Sequence, residues 1–239
     1  MAIGSQPRWT VQSADTQVGI DVGLRNYMLR IYNYMASALA LTGIVAYVFA
    51  GYLETNRALV RSPVMWLIIL APLGLVMLLS YGINRLSAAA AQGLFWLYAG
   101  LMGLSLSTIF LVYTGESIFR VFFITAGTFA AMSLYGYTTK RDLTQMGSFL
   151  FMGLIGIVIA SLVNMFLQNG MLQWIIAVIG VIVFVGLTAY DTQTIKEMYY
   201  EGDGHEIAGK KAVMGALRLY LDFVNLFMML IQLIGVRRD

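Results

Sequence analysis

The feature that most constrains the fold is a run of 48 residues without a charged side chain, from Leu143 to Tyr190. As one α-helix this run would be about 72 Å long, at 1.5 Å per residue. The hydrocarbon core of a bilayer is only about 30 Å thick. The chain must therefore turn back on itself, and Gln168-Asn169-Gly170 supplies residues that favour a turn. The run predicts two antiparallel membrane-spanning helices.

The composition of the whole chain indicates an integral membrane protein. Of its 239 residues, 59% are apolar and 11% are charged, whereas a soluble domain averages about 25% charged residues. The absence of cysteine excludes a disulfide scaffold and a thiol nucleophile. A single histidine, His205, excludes a histidine-rich metal site. We attribute the net charge of +3 to basic residues that flank membrane spans rather than to nucleic-acid binding.

Charge-free windows predict an all-α membrane protein with seven transmembrane helices. The predicted spans are residues 31–53, 62–84, 88–114, 119–139, 146–168, 171–192 and 212–236. Residues 1–30 are predicted to be a polar cytoplasmic tail without the apolar core of a signal peptide, and residues 31–239 to form the membrane domain. A β-barrel is excluded because the chain lacks alternating segments of about 10 residues.

The distribution of lysine and arginine predicts the orientation in a bacterial inner membrane. With seven spans the two termini lie on opposite sides. The N-terminal side collects Arg8, Arg25, Arg30, Arg85, Lys140, Arg141, Lys196, Lys210 and Lys211, with Arg218 just inside the last span, and the other side collects Arg57, Arg61, Arg120, Arg237 and Arg238. Because basic loops stay in the cytoplasm, we predict a cytoplasmic N-terminus and an external C-terminus.

Two acids, Asp191 and Asp222, do not belong to tails, loops or span ends. An acid at the centre of a span costs about 2.5–3.5 kcal/mol on insertion scales, so such residues are functional candidates. The two carboxylates can reach a similar depth, toward the cytoplasmic half, if the sixth helix continues past residue 192. Two neighbouring carboxylates share a proton and titrate in two separate steps. Such a pair can sense pH, carry protons or bind a cation, with Ca²⁺ as the candidate metal.

Simple charge neutralisation is the alternative interpretation of these acids. Arg218 precedes Asp222 by four residues and lies on the same helix face, where the two could form an ion pair within that helix. Arg85, at the cytoplasmic end of the second span, is another candidate partner. Asn225, three residues after Asp222, is a secondary candidate for the site. The acids of the longest loop, Glu201, Asp203 and Glu206, could bind a cation weakly with His205, but a solvated loop is favoured.

Small residues recur every fourth position on the third span, at Ala99, Gly103 and Ser107. Such a ridge lets two helix backbones approach closely. It predicts a packing surface rather than a binding site.

Three motifs carry a resemblance to a known family. They are Gly186-Leu-Thr-Ala-Tyr-Asp-Thr-Gln193, Leu219-Tyr-Leu-Asp-Phe-Val-Asn-Leu-Phe227, and Gly103-Leu-Ser-Leu-Ser-Thr-Ile-Phe110 followed by Thr125-Ala126 and Phe129. Together with seven spans, they resemble the Bax inhibitor-1 family, also called the transmembrane Bax inhibitor motif family. The resemblance covers about residues 30–238 and is typical of a bacterial member.

The resemblance implies a central C-terminal helix surrounded by six others, and a pH-sensitive calcium leak. It implies that Asp191 and Asp222 are a proton-sensing pair near the cytoplasmic side, and that Arg85 pairs with an acid in a closed state. It also implies a link to a membrane-bound AAA protease, as modulator or substrate. Thr108 stands where the family often has proline, and Gln232 where it often has arginine, so the local kink and an outer ion-pair gate are not expected from the family pattern.

The sequence leaves three functional hypotheses. The first is a calcium or cation leak channel gated by protonation of the aspartate pair. The second is a non-conducting interaction protein that modulates a membrane-bound AAA protease, with residues 1–30 as the contact segment. The third is an intramembrane aspartyl protease, which is disfavoured because Asp222 lies in Tyr-Leu-Asp-Phe and not in Gly-x-Gly-Asp. We therefore predict no enzyme activity and no cofactor other than a permeating Ca²⁺ ion.

Overall fold

The structure, a computed structural model, describes residues 9–238 and the side chains of residues 22–238. This part of the chain is helical and contains no β-strand. Its helices are α1 (Trp9–Thr55), α2 (Arg57–Val60), α3 (Pro63–Gly82), α4 (Ala88–Leu106), α5 (Ile109–Val112), α6 (Gly115–Thr138), α7 (Thr144–Leu167), α8 (Gly170–Glu197) and α9 (His205–Ile234). Seven segments are long and apolar enough to cross a membrane, with α4 and α5 forming one of them. The prediction of an all-α, seven-span protein is confirmed.

The predicted turn within the 48-residue run is present between α7 and α8. Gln168 adopts a left-handed conformation with φ of 49° and ends α7. The side chain of Asn164 accepts a hydrogen bond from the Asn169 backbone N–H at 3.0 Å. The side chain of Asn169 then caps α8 by accepting from the Leu172 backbone N–H at 3.0 Å. Two amide side chains and the left-handed backbone of Gln168 therefore close the hairpin.

Three helices extend further than the apolar windows predicted. Helix α1 begins at Trp9 rather than near residue 31, so most of the predicted polar tail is helical, and residues 1–8 lie outside the described part. Helix α8 continues to Glu197, and α9 begins at His205 rather than near residue 212. The difference arises because hydropathy marks where a helix meets lipid, whereas a helix continues into water wherever its residues allow it.

The third span is interrupted at Ser107-Thr108 although it contains no proline there. The Ser107 hydroxyl donates to the Leu104 carbonyl at 2.6 Å, and the Thr108 hydroxyl donates to the Ser105 carbonyl at 3.2 Å. Hydroxyl groups that bond back to a preceding turn compete with the helical hydrogen bonds. The break therefore exists without a proline.

Helix α9 packs against α1, α4, α6 and α8. Half of its apolar stretch is buried, which is the largest share among the seven spans. Helix α3 packs on α4, and α7 packs on α8. The placement of all six other spans around α9 stays a prediction.

The small-residue ridge on α4 is a packing surface, as predicted. Ala99 is fully buried, and its carbonyl accepts a hydrogen bond from the Thr42 hydroxyl of α1 at 2.9 Å. A Cβ atom on Gly103 would lie 2.7 Å from the Thr42 carbonyl oxygen and 2.7 Å from the Cβ of Val45. Only glycine permits this approach of the two backbones.

Both ends of the bundle are joined by contacts between loops and helices. At one end, the Glu206 carboxylate accepts from the Ala88 backbone N–H at 2.7 Å and so caps α4. At the other end, the Val236 N–H donates to the Ser117 hydroxyl at 2.8 Å. The Arg238 guanidinium contacts the Glu54 carboxylate at 2.6 Å. These contacts connect α9 to the ends of α1, α4 and α6.

Candidate functional site

Close helix packing holds the segment of α8 that precedes Asp191. Gly136 of α6 lies directly against the backbone of Ala189, and Gly147 of α7 lies directly against the ring of Tyr190. A side chain at either glycine would overlap these atoms. Asp191 therefore follows a turn of α8 that is closely packed against α6 on one side and α7 on the other.

The structure brings Asp191 and Asp222 together. Asp191 on α8 and Asp222 on α9 are neighbours that line the same cavity. Asp222 is 5% exposed, and its Oδ2 atom is buried without a hydrogen-bond donor among the described residues. Two ionised carboxylates offer only acceptors. A single proton held between them would provide the missing donor.

Arg218 is the basic partner of this pair. Its guanidinium Nη1 lies 3.6 Å from Oδ1 of Asp191. The Arg218 side chain is 44% exposed and that of Asp191 is 17% exposed, so the three groups run from the protein surface inward to Asp222. The ion pair between Arg218 and Asp222 within α9 is not formed. The salt bridge of Arg218 instead joins it to Asp191 on α8. Spacing along one helix carries no information about a partner on a neighbouring helix.

Arg85 is not brought to the pair. It lies exposed in the turn that follows α3, and it makes no salt bridge within 4.0 Å among the described side chains. In this conformation the basic residue at the pair is Arg218.

The acid pair opens into a cavity of about 310 Å³ between α7, α8 and α9. Asn225, the secondary candidate from the sequence, lines it together with both aspartates and Arg218. Apolar side chains form the remaining wall: Phe151 and Leu154 of α7, Phe184, Leu187 and Tyr190 of α8, and Leu221 of α9. The contribution of α7 was missed, because nothing in an apolar helix marks which residues face a polar cavity.

The carboxylates are too few to form a closed metal cage. Within the described residues, no three His, Cys, Asp or Glu side chains come together. Two of the three loop acids have partners in the protein, since Asp203 binds Lys211 at 2.5 Å and Glu206 lies 3.7 Å from Lys210. The aspartate pair and Asn225 therefore supply the oxygen atoms with which a cation can interact inside the span.

Seven helices long and apolar enough to span a membrane, two of which bring an acid each to one cavity, define a polytopic membrane protein. The family model described as inhibitor of apoptosis-promoting Bax1 matches residues 24–239. The chain belongs to this family, the Bax inhibitor-1 family. The resemblance inferred from the three motifs is confirmed.

Relatives cover almost the whole chain. The inner membrane protein YbhL of Escherichia coli (strain K12) is 50% identical over 228 residues, which are 94% of this chain and 97% of YbhL. The uncharacterized protein RP147 of Rickettsia prowazekii is 49% identical over 230 residues, 96% of this chain and 98% of RP147. A protein of Deinococcus radiodurans is 43% identical over 218 residues, 90% of this chain and 92% of the relative.

Proposed function

We propose that the protein is a pH-sensitive cation leak channel of a bacterial inner membrane, that Ca²⁺ is its ion, and that protonation of the Asp191–Asp222 pair controls it. The observation that carries this proposal is the buried Asp222 carboxylate, which faces a second carboxylate and has an oxygen atom without a donor. The inner-membrane location is supported by the name of the relative YbhL.

The charge of the site depends on how many protons it holds. With both carboxylates ionised, the two acids and Arg218 carry a formal charge of minus one, and the cavity attracts a cation. Two protons change this charge to plus one, and the cavity then repels a cation. The same titration removes the negative charge that holds the Arg218 guanidinium beside Asp191. Protonation therefore changes both the local field and a salt bridge between two helices, and it shifts a two-state equilibrium.

The ligand set is suited to a passing cation rather than a resident one. Ca²⁺ takes six to eight oxygen ligands in a stable site. The pair and Asn225 offer fewer, and the nearby guanidinium of Arg218 opposes a bound cation. Conduction requires binding strong enough for entry and weak enough for release. An incomplete site of this kind meets both requirements.

The test is calcium flux into liposomes that contain the purified full chain, measured from pH 6 to pH 8. Wild type is compared with Asp191→Asn/Asp222→Asn, and Glu201→Gln is the control because it removes an exposed loop acid outside the pair. We expect pH-dependent entry in wild type and control, and entry without pH dependence in the double variant. Flux no greater than in empty liposomes at every pH would overturn the proposal.

That negative result would favour the alternative from the sequence, a non-conducting partner of a membrane-bound AAA protease. The two acids would then serve as buried ion-pair partners. Deletion of residues 1–24 tests this alternative, because it removes most of the proposed contact segment and should abolish co-purification of the partner.

A further inference from the structure

A second cavity of about 410 Å³ lies at the end of the bundle where α7 turns into α8. It is lined mainly by amide and hydroxyl side chains, and no charged residue contributes to it. These side chains are Ser161, Asn164, Gln168, Gln173 and Gln232. The Gln173 amide N–H₂ donates to the Gln232 amide oxygen at 3.5 Å, across α8 and α9. The cavity therefore presents neutral oxygen ligands close to one membrane surface.

This cavity and the acid-pair cavity are formed by the same three helices. On α9, the acid-pair cavity ends at Asn225, and the cavity lined by amide side chains begins at Gln232. On α8, the corresponding positions are Phe184 and Ile176. At 1.5 Å per residue, these separations are about 10–12 Å along each helix axis. The two polar cavities are thus aligned and separated by a short distance.

The side chains between the two cavities are apolar. Met229 of α9 lies over Gly180 of α8, so closely that a Cβ atom on Gly180 would be 2.6 Å from the Met229 sulfur. Leu226, which is fully buried, and Ile157 of α7 belong to the same apolar cluster. A narrow apolar segment stops ions because water does not remain in it. A methionine side chain is flexible, so a small helix movement can displace it.

We propose that the amide-lined cavity is the outer vestibule of the cation pathway, and that Met229 against Gly180 is its hydrophobic gate. This inference rests on the proposed function, and it names the pathway that leads to the acid pair. Amide oxygens replace part of the hydration shell of a cation, and without a carboxylate they release it readily. The acid pair then attracts the ion from the far side of the gate.

Thiol accessibility tests the vestibule without measuring flux. The chain contains no cysteine, so each variant carries one thiol. We compare Gln232→Cys with Ile159→Cys, which is the control because Ile159 is 57% exposed on the outer surface of α7. A cationic methanethiosulfonate reagent on the side of the α7–α8 turn should label Gln232→Cys rapidly. Labelling of Gln232→Cys no faster than Ile159→Cys would overturn the vestibule.

Flux tests the gate. Met229→Ala removes the apolar side chain above Gly180, and Met229→Leu is the matched control because it keeps an apolar side chain of similar size. We expect Met229→Ala to raise calcium flux severalfold at the pH where wild type is closed, and Met229→Leu to behave as wild type. If wild type conducts calcium, Met229→Ala has the same flux as wild type, and Gln232→Cys is not labelled, then this inference is overturned and the proposed function is not. No flux from wild type or Met229→Ala would overturn the proposed function together with it.

Discussion

The Arg218 guanidinium lies 3.6 Å from the carboxylate of Asp191 on the neighbouring helix, while Asp222 lies one turn further along its own helix. The salt bridge therefore joins α8 to α9 at the mouth of the cavity that contains the acid pair. Because one partner is a carboxylate of that pair, the state of protonation and the contact between the two helices are coupled.

We expect Arg218→Gln to alter the pH response of calcium flux. Removing the cation favours the protonated form of the pair, so the midpoint of the response should move to higher pH. Arg85→Gln is the matched control, because Arg85 is exposed and makes no salt bridge among the described side chains. Flux profiles from pH 6 to pH 8 distinguish the two arginines. A shift in Arg85→Gln and none in Arg218→Gln would restore the mechanism that the family resemblance implies.

We expect Asp222→Asn to fold stably and to stabilise the protein at high pH. The asparagine amide donates to Asp191 and removes one of two neighbouring buried charges, which relieves repulsion. The free energy of unfolding at pH 8 should rise by about 1 kcal/mol, with a smaller gain at pH 6. Thermal unfolding in detergent at both pH values measures this difference. Equal destabilisation at the two pH values would show that the Asp222 charge is itself required for packing.

We expect Gly136→Ala to destabilise the protein by about 1–3 kcal/mol, the usual cost of overpacking. The added methyl group would overlap the backbone of Ala189 and push α6 away from α8. Gly127→Ala on the same helix is the control, because a Cβ atom there meets nothing within 4 Å. The control should be neutral or slightly stabilising, since alanine favours helix formation. Unfolding of both variants in the same detergent tests the contrast.

We expect Tyr220→Phe to cost about 0.6 kcal/mol, the average for a hydrogen bond between membrane helices. The Tyr220 hydroxyl lies 2.8 Å from the Thr42 hydroxyl, which also donates to the Ala99 carbonyl. Thr42→Val removes both contacts and leaves the buried Tyr220 hydroxyl without this partner, so its cost should be larger, about 1–3 kcal/mol. The two single variants and the double variant, measured by thermal unfolding, give the coupling between α1 and α9. Additive costs would contradict a shared hydrogen bond.

We expect the loop between α8 and α9 to face the cytoplasm. Glu201→Cys lies in that loop and Asn56→Cys lies between α1 and α2, and both native residues are exposed. A membrane-impermeant thiol reagent added to spheroplasts should label Asn56→Cys and leave Glu201→Cys unlabelled. The opposite labelling pattern would reverse the orientation that the distribution of lysine and arginine predicts.

The seven spans were predictable because each depends on a local property, the length of chain between charges. The ends of the helices were not, because a helix continues beyond the membrane without any change that hydropathy detects. The first span was expected from residue 31, yet α1 begins at Trp9. The interruption at Ser107-Thr108 was also missed, since its cause is the direction in which two hydroxyl groups point.

The amino-acid sequence by itself determined that this protein has seven spans, and that Asp191 and Asp222 are the acids away from the ends of the spans. Both follow from the free energy of moving a residue from water to lipid, which depends on residue type and chain position. Only the tertiary structure decided that Arg218 rather than Arg85 meets the pair, and that two polar cavities are aligned on α7, α8 and α9. Those outcomes depend on how each helix is rotated and how closely it approaches its neighbours. That approach is set by contacts such as Gly136 against Ala189, between residues far apart in the chain.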